Sequence, residues 1–217
     1  MTDALTIPAA RDTPKSQRTR ARILNCAMQL FAEIGYGAAT NARIAEEARL
    51  TRGAMLYHFP TREALLDAAV GHIQTARLAL LSAAADQAPP GADLAEHAID
   101  AYWRALSSPP FLAFAELEAA ARSDADVRAR IASAQSEFDR AQVGEPFSRM
   151  LSTGAGARFQ ASRDLARFML EGLARARLTY DREERVEHLL AVIKRATHIL
   201  NRKGPTQDLW PEEPPPR

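Results

Sequence analysis

Between residues 40 and 62 the chain gathers hydrogen-bonding side chains of one kind: Thr40, Arg43, Thr51, Arg52, Tyr57, His58, Thr61 and Arg62. Hydroxyl, guanidinium, phenol and imidazole groups donate to phosphate oxygens, and arginine also reads the edges of bases, so this set suits contact with an anionic polymer. Gly53 and Ala54 are small enough for main chain to come close to such a partner. For Arg52 contact is favoured over a solvated charge, given the whole set around it, and for Tyr57 over a core aromatic, because Met55 and Phe59 already supply apolar anchors nearby. Arg62 reads as a phosphate clamp at a helix start. Arg43 and His58 stay balanced between contact and a local role, and Leu56 reads as packing, within the domain or against a thymine methyl.

These groups act together only if short helices hold them. Thr40 can cap a helix that turns Ile44, Ala45 and Ala48 inward, and Thr51 a second helix through about His58, because a threonine hydroxyl accepts an orphan N–H of the first turn. Together they make a helix, a tight turn and a helix over about residues 40 to 59. Arg49 stands where such a turn ordinarily carries glycine. Upstream, Ile23, Ala27, Leu30, Phe31 and Ile34 recur on one helical face that Gly35 ends. Downstream, Thr61 caps a helix with Leu65, Leu66, Ala69, Ile73, Ala76 and Leu80. Two short capped helices with a packing helix before them are what a helix-turn-helix requires, its second helix lying in the major groove.

The segment RTRARILNCAMQLFAEIGYGAATNARIAEEARLTRGAMLYHFPTREALLDAAV resembles the DNA-binding domain of the TetR/AcrR family of transcriptional regulators over roughly residues 17 to 77. The match includes LFAEIGY-x-x-A-T at 30 to 40, IAEEA at 44 to 48 and TRGAMLYHFPTREALL at 51 to 66. The resemblance implies a dimer, each subunit carrying this three-helix domain and a divergent helical domain for ligand and dimerisation. Two positions depart from the pattern. Leu56 stands where the family commonly has a backbone-contacting tyrosine, which passes that part to Tyr57 and His58, and Arg49 replaces the turn glycine.

Composition narrows the remaining choices. The chain has 217 residues, of which 47% are hydrophobic, 25% charged and 6% aromatic. Alanine, leucine and arginine recur while β-branched residues are sparse, which favours an all-α fold. The formal net charge of +1 hides an asymmetry: nine bases face five acids between Lys15 and Arg77, and the remainder is slightly acidic. A single cysteine, Cys26, excludes an internal disulfide, and no run of about 18 apolar residues offers a membrane span. The expectation is a cytoplasmic protein without membrane contact. None of the five histidines has glutamate three residues before it, as the di-iron sites of helical bundles require, and neither a Gly-rich phosphate loop nor a Gly-x-Ser-x-Gly elbow occurs. No enzyme activity, metal or cofactor is expected.

The domains expected are a disordered tail at 1–16, the helix-turn-helix domain at 17–77, a larger helical ligand-binding and dimerisation domain at 78–203, and a disordered Pro-rich tail at 204–217. In the second domain, helices are expected over about 94 to 106, 111 to 121, 124 to 143, 162 to 180 and 183 to 202. Ser123 with Asp126 is the expected cap pair of the third of these, and STGAGA at 152 to 157 an expected loop. Aromatic residues collect in this half, mostly as core. Trp103, Phe114, Phe138, Phe147, Met150 and Met169 are the candidates to line an apolar effector pocket. Phe168, Gly172, Leu173 and Ala176 of one helix, with Leu189, Ile193 and Leu200 of the next, are the candidates for a dimer interface.

The function expected is that of a dimeric regulator bound to a double-stranded DNA operator, most readily a repressor released by a small apolar or amphipathic effector. The alternative is a helical ligand carrier or interaction module that keeps the helix-turn-helix as scaffold.

Overall fold

The structure, a computed structural model, describes residues 13–143, 157–179 and 183–201. Every regular element among the described residues is an α-helix: α1 (Pro14–Ile34), α2 (Asn41–Glu47), α3 (Arg52–His58), α4 (Arg62–Asp86), α5 (Leu94–Ala105), α6 (Pro109–Ala121), α7 (Ala125–Val143), α8 (Ala157–Ala176) and α9 (Glu183–Asn201). The all-α expectation holds. None of these helices is long and apolar enough to cross a membrane. Residues 1–12 of the expected N-terminal tail, the whole C-terminal tail, residues 152–156 of the loop expected at 152 to 157, and the pocket candidates Phe147 and Met150 lie outside the described residues; Ala157, the last residue of that loop, opens α8.

Some element boundaries differ from the sequence reading, each for a local reason. Helix α1 starts inside the segment assigned to the N-terminal tail, because the Thr13 hydroxyl accepts from the Ser16 N–H at 3.2 Å and Pro14 sits in the first turn, where its missing N–H costs nothing. Pro110 likewise falls in the first turn of α6 instead of the break before it. Helix α7 is capped by Asp124, whose carboxylate accepts from the N–H groups of Asp126 and Val127 at 3.0 and 3.1 Å. Ser123, expected as the cap, instead donates its hydroxyl to the Ala120 carbonyl.

The chain divides into two compact units, and each is discontinuous in sequence. The first takes the chain through Ile73 and adds Ala113–Ile131; the second takes Gln74–Leu112 and the chain from Ala132 onward. In the first unit Ile23, Ala27, Phe31, Ile44, Met55, Phe59, Leu65 and Ile73 are buried, and so are Phe114, Leu117 and Val127 of the added segment. Removing such side chains from water, at about 25 cal/mol per Å² of apolar area, is the dominant favourable term in holding so small a helical group together. An ion pair between Arg130 and Asp67 also links the added segment to α4.

In the second unit the core is Leu81, Ile99, Tyr102, Phe111, Phe138, Ala166, Leu170 and Ile193. A chain of polar side chains runs through it. Gln74 donates to the Ala134 carbonyl, and Arg77 donates to Gln74 Oε1 at 2.7 Å and to Gln135 Oε1 at 3.4 Å. Gln135 donates to Asp139 at 2.9 Å, Asp139 accepts from Arg167, and Tyr102 donates to Glu171 at 2.7 Å. Arg77 is only 3 % exposed, and its guanidinium lies 3.9 Å from the Phe138 ring centroid and 4.8 Å from that of Phe111. Burial, then Glu171, push the Tyr102 hydroxyl far above the ordinary phenol range, so it acts as a fixed donor.

Candidate nucleic-acid interface

Three threonines set the frame of the site. The hydroxyls of Thr40, Thr51 and Thr61 accept from the N–H groups of Arg43, Ala54 and Ala64 at 3.3, 3.2 and 3.1 Å. Each cap satisfies an orphan donor in the first turn of its helix, as the sequence spacing requires. Between α2 and α3 the chain turns through two bonds: Arg49 N–H to the Glu46 carbonyl at 2.9 Å, and Leu50 N–H to the Ala45 carbonyl at 2.8 Å. That pair is a Schellman motif, in which the residue after the cap adopts the left-handed conformation. Arg49 is that residue, with φ 52°, the only non-glycine at positive φ among the described residues. Its exposed side chain leaves the main chain to carry the turn.

Helix α3 has two faces. Met55, with Phe59 just past the helix end, is buried, while Thr51, Arg52, Gly53, Leu56 and Tyr57 are exposed, Tyr57 by 62 %. Leu56, at 39 % exposed, is not a core residue, and part of its side chain is open to a partner. Gly53 has nothing within 4 Å of where a Cβ would stand. No packing contact within the chain calls for a glycine there, although glycine in a helix interior costs roughly 0.5 to 1 kcal/mol relative to alanine.

The basic side chains separate into two kinds. Arg43 and Arg52 are exposed on α2 and α3. Arg62 is turned onto the main chain: Nη1 donates to the Ala39 carbonyl at 3.0 Å and Asn41 Oδ1 at 3.4 Å, Nη2 donates to the Tyr36 carbonyl at 3.0 Å, and the guanidinium sits 4.6 Å from the Tyr36 ring centroid. Where the sequence reading places a phosphate clamp, the structure has a group that ties the α1–α2 loop to the start of α4. Arg20 is held in the same way at the other end of the motif. Its Nη1 donates to the His58 carbonyl at 2.7 Å, and its guanidinium lies 4.3 Å from the Phe59 ring centroid.

In the sequence Arg20 stands out only by its charge, as one of the nine bases between Lys15 and Arg77. No local signal marks a bond that spans 38 residues. His58 is half-buried, with its ring edge-on to Tyr57. Burial first, then the Arg20 charge, hold its imidazole below the ordinary range, so the ring is neutral at pH 7.

A cleft of about 470 Å³ in the same unit is lined in part by Tyr36, Thr40, Arg62, Glu63, Asp124 and Arg130. Its two guanidinium groups are engaged, Arg62 as above and Arg130 with Asp67.

The other sequence candidates lie mostly in the second unit. Phe138 is fully buried in the core, with Trp103 and Met169 half-buried against it. Phe114 does not join them, since that part of α6 belongs to the first unit. Of the dimer candidates, Phe168, Gly172, Ala176 and Leu189 are exposed and Leu200 is half-buried. Leu173 and Ile193 are buried within the chain, each about a quarter turn round its helix from the open face. Leu165, on the apolar face that the sequence pattern gives α8, is exposed too, and so are Val192 and Ile199 of α9, which that pattern does not single out.

Residues 23–69 match the family model described as bacterial regulatory proteins, tetR family. An HTH-type transcriptional repressor of Mycobacterium tuberculosis is 33% identical over 106 residues, 49% of this chain and 51% of that protein. The HTH-type transcriptional regulator UidR of Escherichia coli is 35% identical over 65 residues, 30% of this chain and 33% of UidR. The chain thus spans about half the length, or less, of the curated relatives it matches. Among solved structures, one described as that of a TetR-family transcriptional regulator from Rhodococcus sp. superposes with a TM-score of 0.63 at 21% identity, covering 85% of this chain and all of that one. The multidrug binding protein EbrR, in complex with imidazole, gives a TM-score of 0.58 at 20% identity, covering 88% and 96% of the two chains.

Proposed function

We propose, on the premise that the chain belongs through its N-terminal domain to the TetR family of bacterial regulatory proteins, that it is a homodimeric cytoplasmic repressor released from its operator by a small molecule. The observation that carries the DNA-reading part is the exposed face of α3. Arg52, Gly53 and Tyr57 stand outward, and Gly53 occupies a helical position that packing would let alanine fill. Close approach of the main chain to DNA gives that glycine its use, while Arg52 reads a base edge and Tyr57, with Thr40 and Thr51 nearby, meets phosphate. The bound state holds α3 in the major groove, and a two-fold dimer places a second copy about one helical turn of DNA away.

Dimerisation is assigned to the open faces of α8 and α9. Leu165, Phe168, Gly172 and Ala176 recur at helical spacing on one, and Leu189, Val192 and Ile199 on the other, leaving large apolar side chains in water on both. Two such faces meeting their symmetry copies form a four-helix interface. The effector is assigned to the second unit near Trp103, Phe138 and Met169; the EbrR complex with imidazole lends support, as a protein of this fold that holds a small molecule. Helix α4, like α6 and α7, contributes residues to both units, and it follows directly on the helix-turn-helix, so it is the element assigned to carry an effector's bias on DNA affinity. The shift is limited to the difference in effector affinity between the two states.

Selection of bound duplexes from a random pool yields the operator, and its affinity is then followed against salt. Log affinity should fall steeply with log salt, because phosphate contacts release counterions. Arg52→Ala should weaken operator binding by about 1–3 kcal/mol and relax preference at one base pair. Gly53→Ala should raise thermal stability while lowering operator affinity. Salt-independent binding, or retention of full affinity by both Arg52→Ala and Tyr57→Ala, would leave the helix-turn-helix as mere scaffold.

A further inference from the structure

Helix α3 has seven residues, too few to be stable on its own, so its orientation is imposed from outside. On its inner face Met55 and Phe59 bury apolar surface, which fixes the depth of the helix but is tolerant of small rotations. Directional contacts are what remove that freedom. Among the described residues, one side chain from another element donates a hydrogen bond to the α3 main chain: Arg20 of α1, whose Nη1 meets the His58 carbonyl at 2.7 Å. That carbonyl belongs to the last helical turn, where acceptors lack intrahelical partners, and a charged donor makes the stronger kind of hydrogen bond to it. The same guanidinium lies over the Phe59 ring at 4.3 Å, so hydrogen bond and stacking fix both the plane and the position of the group.

The geometry assigns Arg20 as a positioning residue for DNA reading, an inference that rests on the DNA-binding function proposed above. Arg20 carries no phosphate. It holds the C-terminal end of α3 at the orientation in which Thr51, Arg52 and Gly53, at the other end, address base pairs. A seven-residue helix is about 10 Å long. A tilt of some ten degrees about one end displaces the other by well over an ångström, whereas base hydrogen bonds tolerate a few tenths. Loss of the Arg20 tie should therefore be felt in sequence preference before it is felt in overall attraction to DNA.

This separates Arg20 from a phosphate-contacting base, which has the same charge and a nearby place in the sequence. The test uses the full-length protein, its selected operator and a random duplex of equal length, each titrated over a range of salt. Arg20→Gln should weaken operator binding by about tenfold, the size of one disrupted base-pair contact. Its affinity for the random duplex should stay within about twofold, and its salt slope should not change, because no counterion-releasing contact is lost. Arg20→Lys keeps the charge but lacks the planar fork, and should show an intermediate loss of preference at the same slope. Circular dichroism should give both variants the helix content of the wild type.

A fall of about 0.9 in the slope, with equal losses on both duplexes, would make Arg20 a phosphate contact and overturn the assignment. Unchanged operator preference in Arg20→Gln would overturn it as well. If Arg20→Gln fails to fold, Arg20→Lys decides alone, and wild-type preference in that variant overturns the assignment. A wild-type protein with no operator preference would instead bring down the DNA-binding reading, and this inference with it.

Discussion

The two compact units use their inward-facing arginines in opposite ways. In the first, Arg20 and Arg62 donate mainly to backbone carbonyls: His58 in one case, Tyr36 and Ala39 in the other. In the second, Arg77 and Arg167 donate to side chains: Arg77 to Gln74 on its own helix and to Gln135 of α7, and Arg167 to Asp139 of α7. Bonds to main chain fix the path of short segments, and the first unit needs that because α2 and α3 have seven residues each. Bonds between side chains fix how long helices pack. The first unit thus fixes the path of short main-chain segments, the second the packing of long helices.

The contrast is broken most severely at Phe138. It is fully buried and forms one wall beside Arg77, so Phe138→Ala should destabilise the second unit by about 3–5 kcal/mol, read from urea unfolding. A loss well below that range would mean that the interior does not depend on the aromatic wall. Thr51→Ala acts on the first unit by removing a cap, with an expected cost of about 1 kcal/mol in the same assay and earlier fraying of α3 in amide exchange. Arg49→Gly should go the other way, stabilising by roughly 0.5 to 1 kcal/mol as the left-handed residue loses its Cβ. If operator affinity then falls along with its salt slope, Arg49 has a DNA contact as well as a strained backbone.

The smallest effect is one of pH. His58 is shifted downward by burial and then by Arg20, and His72, which bonds Asn25, by burial alone. Their unfolded forms take up protons near the ordinary value of about 6.5, above the folded values. Neutral His58 and His72 therefore contribute stability that is complete above about pH 6.5 and lost as pH falls through the folded pKa values. The urea midpoint should drop between pH 7.5 and 5, and His72→Gln should flatten that dependence; an equal drop in the variant would place the titration elsewhere.

The helix-turn-helix was legible because its signals are local. Caps at Thr40, Thr51 and Thr61 act over three residues, and the positive φ of Arg49 follows from the turn it occupies. What stayed hidden spans distance or requires a helix phase finer than spacing supplies. The Arg20 and Arg62 bonds cross 38 and 26 residues. Leu173 and Phe168 lie on one helix and both read as apolar, yet one is buried and the other open, since a broad apolar stripe has two edges that only packing distinguishes. Sequence order suggests contiguous domains and so puts Phe114 in the effector half, but the fold does not respect that order.

The segment Ala113–Ile131 has a practical meaning for anyone who would reuse the DNA-reading part. Its Phe114, Leu117 and Val127 are buried in the first unit, and Arg130 bonds Asp67 there. A fragment cut at residue 77 for fusion to another protein would keep every residue of the motif and lose this covering. Such a truncation should expose apolar surface and associate or precipitate. The smallest portable reader is an excised pair of segments joined by a new linker, which makes it a problem in chain reconnection instead of truncation.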